Sequence, residues 1–154
     1  MDEVRIGIIG VGGMGNHHLR YLAAGDVANA KLTAVCDVVP ERVKAAQERA
    51  GEGVQGFDDA DALFAAKCCD ALIIATPHYF HPPYAIKGFE NGLHVLSEKP
   101  AGVYTRQVRE MNEVAAAHPE LQFALMFNQR TRAVHQKMKE LVELGELGEL
   151  KRVN

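Results

Sequence analysis

The chain has 154 residues, a formal net charge of −3 and a sequence pI of about 6.2. A hydrophobic share of 47% and a charged share of 24% are typical of a globular domain and exclude a disordered or collagen-like chain. The mildly acidic balance argues against nucleic acid or an anionic membrane as the main partner. No apolar run approaches the roughly 20 residues that span a bilayer, and the N-terminus MDEVRIGIIG lacks the basic segment of a signal peptide. The composition therefore predicts one cytoplasmic domain.

Cysteine usage fits a reducing compartment. The three cysteines are Cys36, Cys68 and Cys69, and an odd count with an adjacent pair is not the pattern of a disulfide framework. The adjacent pair also lacks the spacing of roughly two to four residues that is usual between zinc ligands. Because the chain has no HExxH, C-x-x-C or G-x-S-x-G motif, we expect no metal site and no serine nucleophile.

Apolar runs rich in β-branched residues alternate with segments of helical periodicity along the chain. Strands are predicted at residues 4–9, 31–37, 54–57, 71–75, 93–97 and 121–127. Helices are predicted at residues 13–24, 40–50, 58–66, 81–91, 104–117 and from about 134 to 145. This alternation with short connections predicts an α/β fold, in which a doubly wound parallel sheet of the Rossmann type carries helices on both faces.

The last ten residues, GELGELKRVN, differ from the rest of the chain. They form a glycine-punctuated turn followed by residues 150–153, which have the pattern of a strand that begins. We therefore expect a complete domain over residues 1–145 and, over residues 146–154, the start of a second domain that this sequence does not include.

The strongest chemical motif is Gly10-Val11-Gly12-Gly13-Met14-Gly15, which fits G-x-G-x-x-G. It follows the first predicted strand and opens the first predicted helix, as a dinucleotide-binding loop requires. In such a loop Gly10 permits the tight turn, Gly12 lets the backbone approach a pyrophosphate, and Gly15 lets helix and strand pack closely. The free N–H groups at the helix N-terminus, around Gly13 and Met14, suit the phosphates. A glycine-rich turn with a purely structural role is the alternative.

Asp37 closes the second predicted strand, 22 residues beyond Gly15. A carboxylate at that place accepts hydrogen bonds from the ribose diol of an adenosine and repels a 2′-phosphate. Three uncharged residues follow it, and the first cation is Arg42, so we expect no cation adjacent to Asp37. The sequence therefore favours NAD over NADP as the cofactor, the alternative being that Asp37 is a turn residue at a strand end.

Two further strand ends carry candidate site residues, since the carboxyl ends of parallel strands face the ligand crevice of a doubly wound sheet. Thr76 and Pro77 follow the fourth strand and are expected to line the cofactor site. His81 begins the next helix and is either a site residue or a capping or surface residue. The fifth strand ends in Ser97-Glu98-Lys99-Pro100, where Lys99 can polarise a substrate oxygen or relay a proton. Taken alone, this tetrapeptide also fits a surface turn.

Four motifs stand in order along the chain: Gly10–Gly15, Thr76-Pro77-x-x-x-His81, Gly92-Leu93-His94-Val95-Leu96-Ser97-Glu98-Lys99-Pro100 and Asn128-Gln129-Arg130. Together they resemble the N-terminal domain of the glucose–fructose oxidoreductase, inositol dehydrogenase and rhizopine-catabolism (Gfo/Idh/MocA) family over essentially the whole chain. The resemblance implies that Lys99 is a catalytic residue and that Glu98, Lys99 and Asn128 contact the cofactor. His78 departs from the pattern, because many relatives carry Asn there.

The resemblance also implies an activity for the intact protein. Members are pyridine-nucleotide-dependent oxidoreductases that transfer a hydride between nicotinamide C4 and a hydroxyl-bearing carbon of a sugar, polyol or related compound. The substrate domain of the family, with its Asp and His, is missing from this sequence, so the chain alone is expected to bind NAD without turnover. The intact protein is expected to be a homo-oligomer. A non-catalytic dinucleotide-binding module that kept the fold is the alternative.

Overall fold

The computed structural model describes residues 3–152 of the chain. Its strands and helices follow one another as β1 (Val4–Ile9), α1 (Gly13–Ala23), β2 (Ala30–Cys36), α2 (Pro40–Ala50), β3 (Gln55–Phe57), α3 (Ala60–Ala66), β4 (Ala71–Ile74), α4 (His81–Glu90), β5 (His94–Ser97), α5 (Thr105–Ala117), β6 (Phe123–Leu125) and α6 (Ala133–Glu143). Short 3-10 turns precede α4 at His78–Phe80 and α6 at Asn128–Thr131.

The six strands of this range form one sheet in the order β3-β2-β1-β4-β5-β6, and every neighbouring pair is parallel. This is the strand order of a Rossmann fold, so the predicted fold class is confirmed. The chain runs outward from β1 to β3 on one side and then from β4 to β6 on the other. A crevice therefore opens between β1 and β4, beyond the carboxyl ends of the strands.

Apolar layers cover both faces of the sheet, because adjacent residues of a strand point to opposite sides. On one face Ile8 packs with Leu19 of α1 and Val43 of α2. On the other face α3, α4 and α5 pack against the sheet; for example, Ile74 of β4 packs with Phe89 of α4. Each such side chain contributes about 1.5–3 kcal/mol when fully buried. Burial on both faces explains why residues 6–9 of β1 and all of β4 are continuous apolar runs.

The six strands and six helices predicted up to residue 145 are present, and their ends differ from the prediction by at most two residues. Helix α3 begins later than expected because the Asp59 carboxylate accepts a hydrogen bond from Ala62 N–H at 2.9 Å and caps the helix. Strand β6 is shorter than expected at both ends. The strand predicted at residues 150–153 is absent from residues 150–152, and Val153 lies outside the described residues.

Helix α6 stands apart from the two helical layers. It has no buried residue, and Val134, Met138 and Val142, which follow one another at intervals of four, are 58%, 51% and 41% exposed. A helix usually buries such an apolar stripe against another element. No helix between residues 3 and 152 has the length and apolar character needed to cross a membrane.

Gly15→Ala is expected to destabilise the fold, because a Cβ at this position would stand 1.8 Å from the Gly10 carbonyl oxygen. A backbone oxygen cannot swing aside as a flexible side chain can, so this overpacking lowers the free energy of unfolding by about 1–3 kcal/mol or more. Urea denaturation followed by circular dichroism measures the change. Gly13→Ala is the matched control, since a Cβ there meets nothing within 4 Å and the residue begins the same helix. Equal stability of the two variants would contradict the close contact.

Candidate active-site crevice

A cavity of about 370 Å³ runs along the carboxyl edge of the sheet. Its lining comes from the loops after β1, β2, β4 and β5 and from the first turns of α1, α2 and α4: Gly10, Gly12, Gly13, Met14, Asp37, Arg42, Ala75, Thr76, Pro77, His78, His81, Glu98 and Lys99. The cavity thus brings together every residue predicted for the site except Gly15 and Asn128. A larger and more open depression of about 1020 Å³ lies beside α6, and none of the predicted site residues lines it.

The glycine motif forms the turn from β1 into α1. Gly10 has a φ of 89°, and a Cβ there would lie 2.7 Å from the Ala75 carbonyl oxygen, so the turn requires glycine. A Cβ at Gly12 or Gly13, in contrast, would meet nothing within 4 Å. The Asn16 side-chain amide braces the loop by donating to the Gly12 carbonyl oxygen at 3.0 Å. The backbone of the motif is therefore fixed in place and accessible from the cavity. It lies at the N-terminus of α1, where free N–H groups favour the binding of an anion.

Asp37 lies at the β2 end of the cavity and is 7% exposed. Its Oδ2 accepts a hydrogen bond from Val11 N–H and its Oδ1 accepts one from Val39 N–H, both at 3.0 Å. These bonds orient the carboxylate and leave a further lone pair on each oxygen for a ligand. Arg42 Nη1 comes within 3.6 Å of Oδ1. The expectation that no cation lies beside Asp37 is therefore wrong, because the first turn of α2 brings Arg42 back over the strand end.

A smaller cavity of about 190 Å³ adjoins the first at Asp37. Val38 lines it on the β2 side, and Pro77 and Phe80 line it on the β4 side. Val38 is 79% exposed and Phe80 is 50% exposed. Two apolar walls thus face each other beside a carboxylate, an arrangement that suits a flat ring carrying a polar substituent.

His81 is fully buried, which rules out the surface alternative. Its Nε2 lies 2.9 Å from the Thr76 carbonyl oxygen and its Nδ1 lies 2.7 Å from the Pro100 carbonyl oxygen. His81 therefore ties the loop after β4 to the loop after β5. The Thr76 hydroxyl next to it is buried and has no hydrogen-bond partner among residues 3–152.

Glu98 lies at the β5 end of the cavity and is 5% exposed. Its Oε1 is 2.8 Å from Nε2 of His18 on α1, and its Oε2 accepts a hydrogen bond from Lys99 N–H at 3.2 Å. His18 is itself 2% exposed and is bonded through Nδ1 to the Tyr21 hydroxyl. Lys99 is exposed and lines the same cavity. The buried carboxylate shows that Glu98 and Lys99 do not form an ordinary surface turn.

Two predicted site residues lie away from the cavity. Gly15 packs against the Gly10 carbonyl and shapes the turn from behind. Asn128 begins the 3-10 turn before α6, where its carbonyl oxygen accepts a hydrogen bond from the Thr131 hydroxyl at 2.9 Å. The structure therefore brings Asn128 to the edge of the sheet beyond β6 without placing it among the cavity residues.

Sequence reasoning missed the two side chains that contact the buried carboxylates of this region, Arg42 at Asp37 and His18 at Glu98. Arg42 has a usable signal, since it lies two residues after Pro40, which opens α2, and its side chain can therefore reach back to the strand end. His18 has none, because nothing in the sequence pairs it with Glu98, which is 80 residues away.

The cysteine thiols do not take part in this arrangement as nucleophiles. Burial, with smaller contributions from the charges of Asp59 and Asp37, raises the pKa of Cys36 to about 12. Burial likewise raises the pKa of Cys69 to about 12. Both thiols are protonated near neutral pH, and a protonated thiol is a poor nucleophile.

Comparison with known proteins gives consistent matches. The sequence profile of the Gfo/Idh/MocA group, described as an oxidoreductase family with an NAD-binding Rossmann fold, matches residues 4–128. Inositol 2-dehydrogenase of Corynebacterium glutamicum (strain R) is 31% identical over 148 residues, which are 96% of this chain and 43% of that protein. D-glucoside 3-dehydrogenase of Escherichia coli (strain K12) is 31% identical over 151 residues, which are 97% of this chain and 42% of that protein.

Solved structures agree with these matches. Scyllo-inositol dehydrogenase from Lactobacillus casei, solved with bound NAD(H) and scyllo-inositol, aligns with a TM-score of 0.91 at 32% identity. The alignment covers 96% of this chain and 43% of that one. The chain therefore spans less than half the length of these relatives.

His81→Leu is expected to lower the free energy of unfolding by about 1–3 kcal/mol, because the carbonyl groups of Thr76 and Pro100 lose their donor. Urea denaturation measures the loss. His78→Leu serves as the control, since His78 is exposed on the same loop and its replacement should change stability by no more than about 0.5 kcal/mol. If both variants are equally stable, His81 does not tie the two loops together.

Proposed function

Because this chain belongs to the Gfo/Idh/MocA oxidoreductase family, we propose that it is the cofactor-binding domain of a dehydrogenase acting on a hydroxyl group of a sugar, polyol or related compound. The fold of the chain is the NAD-binding Rossmann fold of that family. One observation carries the proposal. The glycine loop, Asp37 and the Glu98–Lys99 pair, which come from strands far apart in sequence, line a single cavity.

The adenosine half of NAD fits the β2 end of the crevice. The free lone pairs of the buried Asp37 carboxylate suit the two ribose hydroxyls. The adenine ring fits the smaller cavity between Val38 and Phe80. The open backbone at Gly12 and Gly13 leaves room for the pyrophosphate at the N-terminus of α1.

The nicotinamide half then extends past β4 toward the β5 end. The Thr76 hydroxyl, buried and without a partner among the described residues, is available to this half. When bound, NAD supplies the hydride acceptor. We assign Lys99 to the reacting hydroxyl, where it either polarises the oxygen or relays the proton that leaves it. Glu98 holds the Lys99 backbone N–H and so positions that residue at the cavity.

A second domain is proposed to complete the substrate pocket of the intact protein. The length of the relatives supports it, since this chain matches only 42–43% of them. The uncovered apolar stripe of α6, formed by Val134, Met138 and Val142, offers a surface for such a domain. We assign residues 1–145 to the cofactor domain and residues 146–154 to the approach to the substrate domain. The substrate class rests on the relatives, which are named for inositol and D-glucoside.

We further propose that the intact enzyme is a cytoplasmic homo-oligomer. The three free, buried cysteines suit a reducing compartment. An apolar depression of about 360 Å³ on the α1 face of the sheet, lined among others by Ile6, Ile73 and Leu96, offers a surface for association. The net charge of −3 does not favour a nucleic-acid partner.

NAD is expected to bind this chain more tightly than NADP, because a 2′-phosphate would meet the buried Asp37 carboxylate. Asp37→Asn should weaken the binding of NAD by about 1.5–3 kcal/mol, because charged hydrogen bonds to the ribose are lost. It should also reduce the difference in affinity between NAD and NADP. Titration calorimetry with both cofactors measures the two affinities. Arg42→Ala is the matched comparison, and it should widen the preference, since it removes the cation beside Asp37. If the unaltered chain binds NADP as tightly as NAD or more tightly, Asp37 does not discriminate against the 2′-phosphate.

The 154-residue chain is also expected to bind NAD without oxidising inositols, glucosides or other polyols. Orientation of the substrate contributes about 7–11 kcal/mol to such reactions, and without a covering domain nothing holds the substrate over Lys99. NAD affinity and NADH formation are to be measured on the same sample, with a chain extended through the substrate domain as the positive control. Robust turnover by the 154 residues would contradict the two-domain proposal.

A further inference from the structure

Two buried side chains and one partly buried side chain form a hydrogen-bonded row that leads away from the crevice. Glu98 contacts His18 at 2.8 Å, and His18 contacts the Tyr21 hydroxyl. Glu98 and His18 are 5% and 2% exposed. Burial of a carboxylate is costly unless it is bonded, so this row must serve the carboxylate at its end. Binding of the adenosine and phosphate groups does not require it.

The contacts of the row orient the Glu98 carboxylate. The Tyr21 hydroxyl can donate to Nδ1 of His18, and Nε2 of the same ring faces the carboxylate. Burial and then the negative charge of Glu98 raise the pKa of Tyr21, which keeps its hydroxyl proton available for donation.

That charge lies at the end of the crevice opposite Asp37. Asp37 follows β2 and Glu98 follows β5, and these strands are three sheet spacings apart, or roughly 14 Å. With the adenosine half at Asp37, as proposed above, the nicotinamide half lies on the side of Glu98. The inference rests on that placement.

The two redox forms of the cofactor differ in charge at this end alone. The oxidised nicotinamide ring carries one positive charge, and the reduced ring carries none. A buried carboxylate interacts with a nearby cation far more strongly than an exposed one does, because water screens it less. We propose that the Glu98 carboxylate, held by His18 and Tyr21, makes the crevice bind the oxidised cofactor in preference to the reduced one. Reduced cofactor then leaves readily after the hydride has been transferred.

The test compares the affinity of the 154-residue chain for NAD⁺ and NADH. Calorimetry gives the affinity for NAD⁺. The fluorescence of NADH gives the affinity for NADH without tryptophan background, since the chain has no Trp. In Glu98→Gln the preference for NAD⁺ over NADH should fall about tenfold, which corresponds to about 1.4 kcal/mol. Asp37→Asn should weaken both forms equally and leave their ratio unchanged, because it acts at the adenosine end.

Tyr21→Phe provides a second variant that keeps the ring and its packing. Without the hydroxyl, Nδ1 of His18 loses its hydrogen-bond partner, and the ring holds the Glu98 carboxylate less firmly. The preference for NAD⁺ should therefore fall here too, by less than in Glu98→Gln. Circular dichroism checks the fold of each variant, and Tyr21→Phe decides the matter alone if Glu98→Gln does not fold.

The possible failures are distinct. If the unaltered chain binds both forms and the ratio stays within about twofold in the folded variants, the charge of Glu98 does not act on the nicotinamide and the inference is overturned. If the unaltered chain binds neither form, the proposed cofactor-binding function itself is overturned.

Discussion

The close passage of α1 over the end of β1 is the contact on which the rest of the structure depends. No side chain fits at Gly15, because its Cβ would meet the Gly10 carbonyl oxygen at 1.8 Å. This approach lets the helix start directly at the carboxyl edge of the sheet. Its N-terminal N–H groups then face the crevice, and its buried side, with His18 and Leu19, turns toward the strands. A larger residue would push α1 away and open both the core and the site.

The crevice is held in shape by buried polar side chains that tie its loops to one another. Asp37 joins the loop after β2 to Val11 in the glycine turn. His81 joins the loops after β4 and β5, and His18 reaches from α1 to Glu98. Each of these groups is buried and hydrogen-bonded. The same hydrogen bonds therefore satisfy its polar atoms and fix the positions of the loops. The site is organised before a ligand arrives.

The two halves of the molecule differ in how completely they are covered. The side that faces the proposed cofactor is closed by cross-tied loops, whereas α6 and part of the α1 face of the sheet keep apolar surface exposed. Exposed apolar patches of this kind mark surfaces that meet another domain or chain. The division agrees with a protein in which this chain holds the cofactor and its neighbours supply the substrate contacts.

The order of the elements, the glycine turn and the place of Asp37 could be predicted from the sequence, because strand burial, helix caps and glycine turns depend on residues near one another in the chain. The observed ends of the elements differ from the predicted ends by at most two residues. At α3 the difference arises because Asp59 caps the helix and so sets its first residue. By contrast, nothing in the sequence predicts that His81 bonds two carbonyl groups or that His18 holds Glu98. These pairings depend on which strands become neighbours in the sheet and on the tilt of each helix over it. Neither the strand neighbours nor the tilt of a helix can be deduced from the spacing of residues along the chain.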